Sequence, residues 1–314
     1  NEVSTYDICM IYHADMYLCP GALDAIEWYL KPNTIVSLTR IEPPLHPPGP
    51  EKLLQNFGVE PEEFNEEALL EWISNTGFKD TFTNKTTEGV FAPWAFWKED
   101  FQDIGGHDPL YAPQSKEDSD IFNRFQMNGI KFVQTWEGCV YHMTCRGSRR
   151  NTIDKAKNIY EDSPEWLEQN MKSTRNFIRK WGHFVKHDQY MKPIIPSKYD
   201  IGLVIKNCNL NLLHELEPWC SNVYVDNNRE EYIVSEQPNT IINLSERVLP
   251  YDNEKQNGVI IEIDRNTFNN EDFRHLQNLS EILDADEQLR EELIHFSDDP
   301  EFELGSMKII VNNL

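Results

Sequence analysis

Basic residues are scarce in this sequence: 29 Lys and Arg stand against 53 Asp and Glu, a formal net charge of −24. A sequence-independent grip on nucleic acid rests on basic surface, so no nucleic-acid partner is expected. Long apolar runs are missing too. None approaches the roughly 20 residues that a bilayer-spanning helix needs, so no membrane span is expected. The first seven residues lack the basic start and small-residue cleavage site of a signal peptide, and none is expected there. Cysteine is sparse and scattered: six residues, none in a C-x-x-C pair, which suggests neither a zinc site nor a disulfide framework. Reduced thiols and a cytoplasmic location follow as expectations.

What is present is ample core material, with 39% hydrophobic and 11% aromatic residues in a chain of 314. That length suits one large domain or two ordinary ones. Residues 6–12 form a nearly continuous apolar run, suiting a strand buried on both faces. Pro20 opens a helix reaching Leu30, and the β-branched stretch 34–39 reads as the next strand. Strand, helix, strand is the α/β signature.

Five prolines between Pro43 and Pro50 demand an extended loop. Helices are expected over 51–57 and 65–75, the second with Asn65 as N-cap. A surface loop over 76–88 and a strand over 90–97 follow. A short helix ends at Gly105-Gly106, and Gly129 closes a helix over 117–128. Short strands are expected at 131–136 and 139–142. A long helix runs from the cap Ser163 to Trp181, where Gly182 stops it. The aperiodic stretch 183–198 reads as a linker between a domain over 1–182 and a smaller one over 199–314. That smaller domain repeats the order strand, helix, strand at 201–225 and again at 259–311, with no motif assignable to chemistry.

Three clusters carry chemistry-bearing side chains. His13-Ala14-Asp15 follows a strand, at the sheet edge where α/β ligand sites gather; an Asp there also serves commonly as a turn former. Gly105-Gly106-His107-Asp108 is followed by Glu117-Asp118-Ser119-Asp120-Ile121 and Arg124. Paired glycines let backbone approach a ligand, and acids in a first helical turn are stabilised by the helix dipole without any catalytic role. Val140-Tyr141-His142 runs into Arg146, Arg149 and Arg150, a basic cluster suited to a diphosphate.

The order and spacing of these clusters resembles the catalytic half of GT-A-type glycosyltransferases of family two. These place a D-x-D-type motif after a strand, then G-G-x-D, then E-D-x-D with an Arg four residues on, then a strand ending in His. A helix with a K-W-G ending commonly follows, and Arg179-Lys180-Trp181-Gly182 is similar to it. The resemblance runs from Tyr6 to Gly182, and its most specific part is the E-D-S-D-I-x-x-R block with G-G-H-D upstream.

The resemblance implies an incomplete GT-A, Rossmann-like mixed sheet flanked by helices, joined to a small second α/β domain. It implies a nucleotide-sugar donor held through Mn²⁺ or Mg²⁺. Asp15 matches the last acid of D-x-D, His13 stands where that motif has its first Asp, and His142 matches a position that completes the metal site. Arg146, Arg149 and Arg150 would meet the donor diphosphate. Asp118, beside Glu117, aligns with the catalytic base of inverting members. Gly105, Gly106, His107 and Asp108 would receive an acceptor hydroxyl, on a glycan or another molecule; Trp94 and Trp97 would stack on an acceptor sugar, with core packing an equal reading of both. Asp15 and His142 are therefore expected side by side at one sheet edge. GT-A domains normally begin with a β-α-β segment that binds the base, whereas here the D-x-D-like motif arrives at residue 13. Either a truncated or processed chain is expected, inactive by itself, or something else supplies that half. The exposed edge of strand 6–12 is expected to be covered by self-association or by the C-terminal domain. Two rivals are a non-catalytic carbohydrate-binding module on the same fold and a sugar nucleotidyltransferase.

Overall fold

The structure, a computed structural model, describes residues 5–144, 162–285 and 301–313. It is α/β, with mixed sheets flanked by helices. In chain order the elements begin with β1 (Ile8–Ile11), β2 (Met16–Leu18), α1 (Ala22–Tyr29), β3 (Thr34–Glu42), β4 (Lys52–Leu54), α2 (Glu66–Asn75) and α3 (Phe78–Thr81). They continue through β5 (Thr86–Thr87), β6 (Trp94–Trp97), α4 (Lys98–Asp103), α5 (Glu117–Met127), β7 (Lys131–His142) and α6 (Pro164–Trp181). The first sheet runs β1-β6-β3-β7-β2, with β4 on β3 and β5 on β7. β3, β4 and β7 are mutually parallel, so their carboxyl ends share one edge. In one core cluster, Ala22 and Ile26 of α1 and Ile121 and Phe125 of α5 are buried with Ile35, Leu38 and Trp94. Leu69 of α2 and Phe78 of α3 pack with Ile41 and Tyr141.

Several expected elements change. The apolar run 6–12 contracts to β1, which among the described residues pairs only with β6, antiparallel. Ile8 is 45% exposed there, so this is an edge strand and not one buried on both faces. Residues 51–57 form no helix. Glu51 and Lys52 are drawn into ion pairs with Arg40 and Glu42 of β3, which holds the segment extended as the parallel strand β4. The stretch 76–88 contains α3 and β5, anchored by the buried ring of Phe78 and by Trp136 Nε1 donating to Thr87 Oγ1. The strand expected over 90–97 pairs only from Trp94 onward, because Pro93 has no N–H to offer a ladder. Asn65 caps α2 as expected, accepting from Ala68 N at 3.0 Å.

The two strands expected at 131–136 and 139–142 are one, β7, interrupted by a bulge. Leu38 faces Thr135 and Thr39 faces Cys139, so Trp136, Glu137 and Gly138 are looped out of the pairing with β3. A Cβ at Gly138 would lie 2.8 Å from Ala25 Cβ and 2.9 Å from Leu38 Cδ2; glycine lets α1 pass closely there. Beyond the bulge, Ile41 faces Tyr141, which brings the ends of the two strands, Glu42 and His142, level.

The chain divides into two compact units, one holding Asn1–Asp108, Glu117–Gln169 and Lys186–Ile194, the other Pro109–Lys116, Asn170–Val185 and Ile195–Leu314. The division thus falls within α6, and the linker read at 183–198 is shared between the units. The second unit contributes β8 (Ile201–Lys206), α7 (Leu210–Leu216), β9 (Asn222–Val225), α8 (Arg229–Glu236), α9 (Leu244–Arg247) and β10 (Val248–Pro250). It ends with β11 (Val259–Asp264), α10 (Asn270–Gln277), α11 (Leu279–Ala285), β12 (Glu301–Leu304) and β13 (Met307–Val311). Its sheet runs β10-β9-β8-β11-β13-β12, with the first four strands parallel. β13 is antiparallel to β11, so the second half of this unit ends in a β12–β13 hairpin and does not repeat a parallel crossover. Gly305, at φ +63, makes the tight turn between those strands.

Candidate functional site

Three strand ends build one cluster. β7 delivers His142 and β1 leads one residue later into His13 by way of Tyr12. The backbone then closes a turn, with Met16 N donating to His13 O at 3.3 Å, and enters β2, whose Met16 faces His142 across the ladder. Met143 N donates to Asp15 O at 2.9 Å, which fixes Asp15 beside the end of β7. The Asp15 carboxylate consequently sits 3.5 Å from His142 Nε2. The rings of His13 and His142 lie 6.3 Å apart, and the ligand atoms of His13, Asp15 and His142 all fall within 4.8 Å of one another. A cation 2.0–2.6 Å from each ligand fits a triangle of that size.

A second layer supports the trio. Glu42 Oε1 is 2.9 Å from His142 Nδ1 and 2.8 Å from Arg40 Nη1, while Oε2 accepts from Lys52 Nζ at 3.1 Å. The Arg40 guanidinium lies 3.8 Å from the centroid of the Phe91 ring, and that ring abuts both His13 and His142. Burial lowers the pKa of His13, and the His142 charge lowers it further, which favours the neutral imidazole a metal requires. Burial works against the Glu42 charge, but His142, Arg40 and Lys52 outweigh it and hold that carboxyl at about 2. Asp15 behaves alike: burial opposes its charge, and the hydrogen bond and charge of His142 hold it below the ordinary carboxylate value.

The carboxylates at the start of α5 separate into two roles. Asp120 is wholly buried and pairs with Arg124 at 2.7 Å, while Arg124 also donates to Ile104 O at 2.5 Å. That pair ties the helix to the turn at Gly105 and Gly106. Glu117 and Asp118 are half-buried, and one Glu117 oxygen is buried with no hydrogen-bond partner among the described residues. Protein packed closely around Asp118 pushes its carboxyl up to about 7, and the neighbouring Glu117 charge pushes the same way. Gly106, at φ +67, would bring a Cβ 3.1 Å from Phe101 Cε1. His107 sets its edge against the same Phe101 ring, at 5.4 Å, and Asp108 is half-buried.

Trp94 does not suit the acceptor role expected of it. It is 0% exposed and packs among Phe96, Phe101, Phe122 and Phe125, so no face is left for a sugar. Trp97 is half-buried and packs against the same core. Arg146, Arg149 and Arg150 lie outside the described residues.

Sequence reasoning missed Glu42, Arg40 and Phe91. A signal for the first two existed: in Arg40-Ile41-Glu42 two charged residues alternate with an apolar one at a strand's end, which places both on one face. Nothing local marked Phe91. No known protein family matches this chain by sequence, and no curated protein matches it.

Proposed function

We propose that this chain carries the catalytic half of a metal-dependent, inverting glycosyltransferase that moves a sugar from a nucleotide-sugar to an acceptor hydroxyl. The observation that carries this reading is the convergence of His13, Asp15 and His142 within 4.8 Å, on the residues that correspond to the D-x-D-type motif and the strand-ending His. Two imidazoles and one carboxylate suit Mn²⁺ better than Mg²⁺, since imidazole is a poor ligand for the harder ion. The bound cation would neutralise charge growing on the departing diphosphate.

The remaining chemistry belongs to the side chains. Asp118 takes the proton of the acceptor hydroxyl as its oxygen attacks the sugar carbon opposite the leaving group, which inverts that centre. A carboxyl titrating at about 7 is matched to that task near neutral pH. Asp120 and Arg124 hold α5 and the glycine turn together and touch no reacting atom. The donor's nucleotide and sugar are unassigned. The five described cysteines are free thiols, and a reducing compartment such as the cytoplasm belongs to the same proposal. Among the described residues, no helix is long and apolar enough to cross a membrane.

Calorimetric titration with Mn²⁺, and then with nucleotide-sugars in its presence, tests the reading on the wild type and Asp15→Asn. Nucleotide-sugar binding that requires Mn²⁺ and weakens at least about tenfold in the variant supports it. Glycan binding indifferent to chelation, with no nucleotide-sugar bound, favours the non-catalytic carbohydrate module. Pyrophosphate release from a nucleoside triphosphate and a sugar phosphate identifies a nucleotidyltransferase.

A further inference from the structure

We propose that Glu42 is the positioning residue of the metal centre: its carboxylate holds His142 with Nδ1–H turned to β3 and Nε2 presented to the cation. The inference rests on the reading of His13, Asp15 and His142 as a metal site, and it concerns a residue outside that trio. It begins in the topology. Beyond the β7 bulge, β3 and β7 run parallel and in register to their ends, so Glu42 and His142 finish side by side at one sheet edge. The Glu42 carboxylate is 1% exposed and its Oε1 reaches His142 Nδ1 at 2.9 Å. On the opposite side of the ring, Nε2 is the atom that approaches Asp15, at 3.5 Å.

An imidazole can ligate through either nitrogen, and the hydrogen bond made by one decides which is left for the metal. Here Nδ1 faces a carboxylate, which only accepts, so Nδ1 keeps its proton, while a cation entering beside Asp15 takes the Nε2 position in place of the second proton. Arg40 and Lys52, at 2.8 and 3.1 Å, hold both oxygens of the Glu42 carboxylate and leave it no freedom to turn away. A fixed negative charge behind the ring also makes Nε2 the stronger donor to a cation. The competing account is that Glu42 only joins the ends of β3, β4 and β7 through Arg40 and Lys52. On that account the His142 contact is incidental.

The two accounts separate on metal affinity and on the state of the His142 ring. The probes are Mn²⁺ in calorimetry and Zn²⁺ with ¹⁵N-labelled histidine in NMR. In the wild type, binding is expected to leave a protonated Nδ1 and shift Nε2. Glu42→Ala should weaken Mn²⁺ by about 10–100-fold, the usual range for removing such a partner. Glu42→Gln keeps an acceptor oxygen without the charge, and should lose about three- to tenfold while Nδ1 stays protonated. Lys52→Met removes one of the two cations that hold Glu42, and should weaken Mn²⁺ less than Glu42→Gln does, because Arg40 still holds the carboxylate at 2.8 Å. If Glu42→Ala does not fold, Glu42→Gln and the wild-type spectrum decide. Affinity within about twofold of wild type in the Glu42 variants, or a cation found on Nδ1, overturns the proposal while the metal site stands. Absence of Mn²⁺ binding by the wild type overturns both.

Discussion

Arg179 Nη2 lies 2.7 Å from Glu217 Oε2, and both side chains are completely buried in the second unit. Glu217 accepts further from Arg247 Nε at 2.7 Å and from the Tyr232 hydroxyl at 2.8 Å, so its charge is fully surrounded by donors. Arg179, part of the motif that resembles a K-W-G helix ending, is therefore an internal ion-pair residue here. Burial opposes the Glu217 charge, but Arg179 and Arg247 outweigh it and hold that carboxyl down at about 2.

Removing one member of such a cluster leaves the others charged and buried. Glu217→Ala should lower unfolding stability by about 3–5 kcal/mol at neutral pH, read from thermal or denaturant melts. The pH dependence has a definite sign. A carboxyl whose folded value lies below its ordinary one near 4.5 stabilises the fold fully above pH 4.5, and that contribution disappears as pH falls towards 2. The gap between wild type and variant should thus be constant above about pH 5 and narrow steadily below it. A gap that persists unchanged to pH 3 would show that the ion pairs are not its source.

Asp118 gives the kinetic counterpart. Its carboxyl is raised to about 7, and it serves as a base only when ionised. Turnover should rise with pH through about 7 and then level off. Asp118→Asn should lower turnover at least about a hundredfold and remove that rising limb, while donor KM changes little because the base faces the acceptor. Near-normal turnover in this variant would leave Asp118 as a helix-terminal acid only. Measurements on Glu117→Gln would then identify the remaining candidate.

For Trp94 the expectation is structural. Its ring is enclosed by Phe96 at 4.7 Å and Phe122 at 5.4 Å, and its indole N–H has no partner among the described residues. Trp94→Ala should lower stability by about 3–5 kcal/mol, the range for emptying an aromatic core position. Trp94→Phe also deletes the unsatisfied donor and should lose much less. Neither change should alter acceptor KM in the folded fraction. A selective KM effect from Trp94→Phe would return this residue to the acceptor site.

How far the sequence foretold this arrangement depended on how local each determinant is. Helix α2 was legible because its cap, Asn65, and the acids of its first turn are adjacent in sequence. His13, Asp15 and His142 were legible as a group, since each follows an apolar strand-like run. β4 was not legible. Its helix-like composition yields to ion pairs with Arg40 and Glu42, partners about ten residues away that no local pattern names. For Trp94 the sequence left core packing and sugar stacking equal for a similar reason: Phe122 and Phe125, which enclose it, arrive only with α5. The β7 bulge was read as a break between two strands, because a periodicity of two cannot distinguish an interruption from an end.

That bulge supplies the last prediction. Leu38 pairs with Thr135 and Thr39 with Cys139, so the looped-out residues set the register that brings His142 level with Glu42. The loop fits beneath α1 only because Gly138 has no side chain; a Cβ would meet Ala25 Cβ at 2.8 Å, Leu38 Cδ2 at 2.9 Å and Ala22 Cα at 3.2 Å. Two of these are packed core atoms with no room to recede, so the backbone must move instead. Gly138→Ala should lower stability by about 1–3 kcal/mol, as overpacking generally does. Because the strain falls four residues before His142, Mn²⁺ affinity should fall in the same variant. Ala22→Gly on the Gly138→Ala background relieves too little to rescue it, whereas Ala25→Gly removes the nearest clashing atom and should restore part of both properties together, the Leu38 contact and the roughly 1 kcal/mol cost of a helix glycine remaining. The measurements are a thermal melt and a Mn²⁺ titration on the wild type, the single variant and the two double variants. Recovery of stability without recovery of Mn²⁺ binding would show that the bulge supports the fold but does not set the geometry of the site.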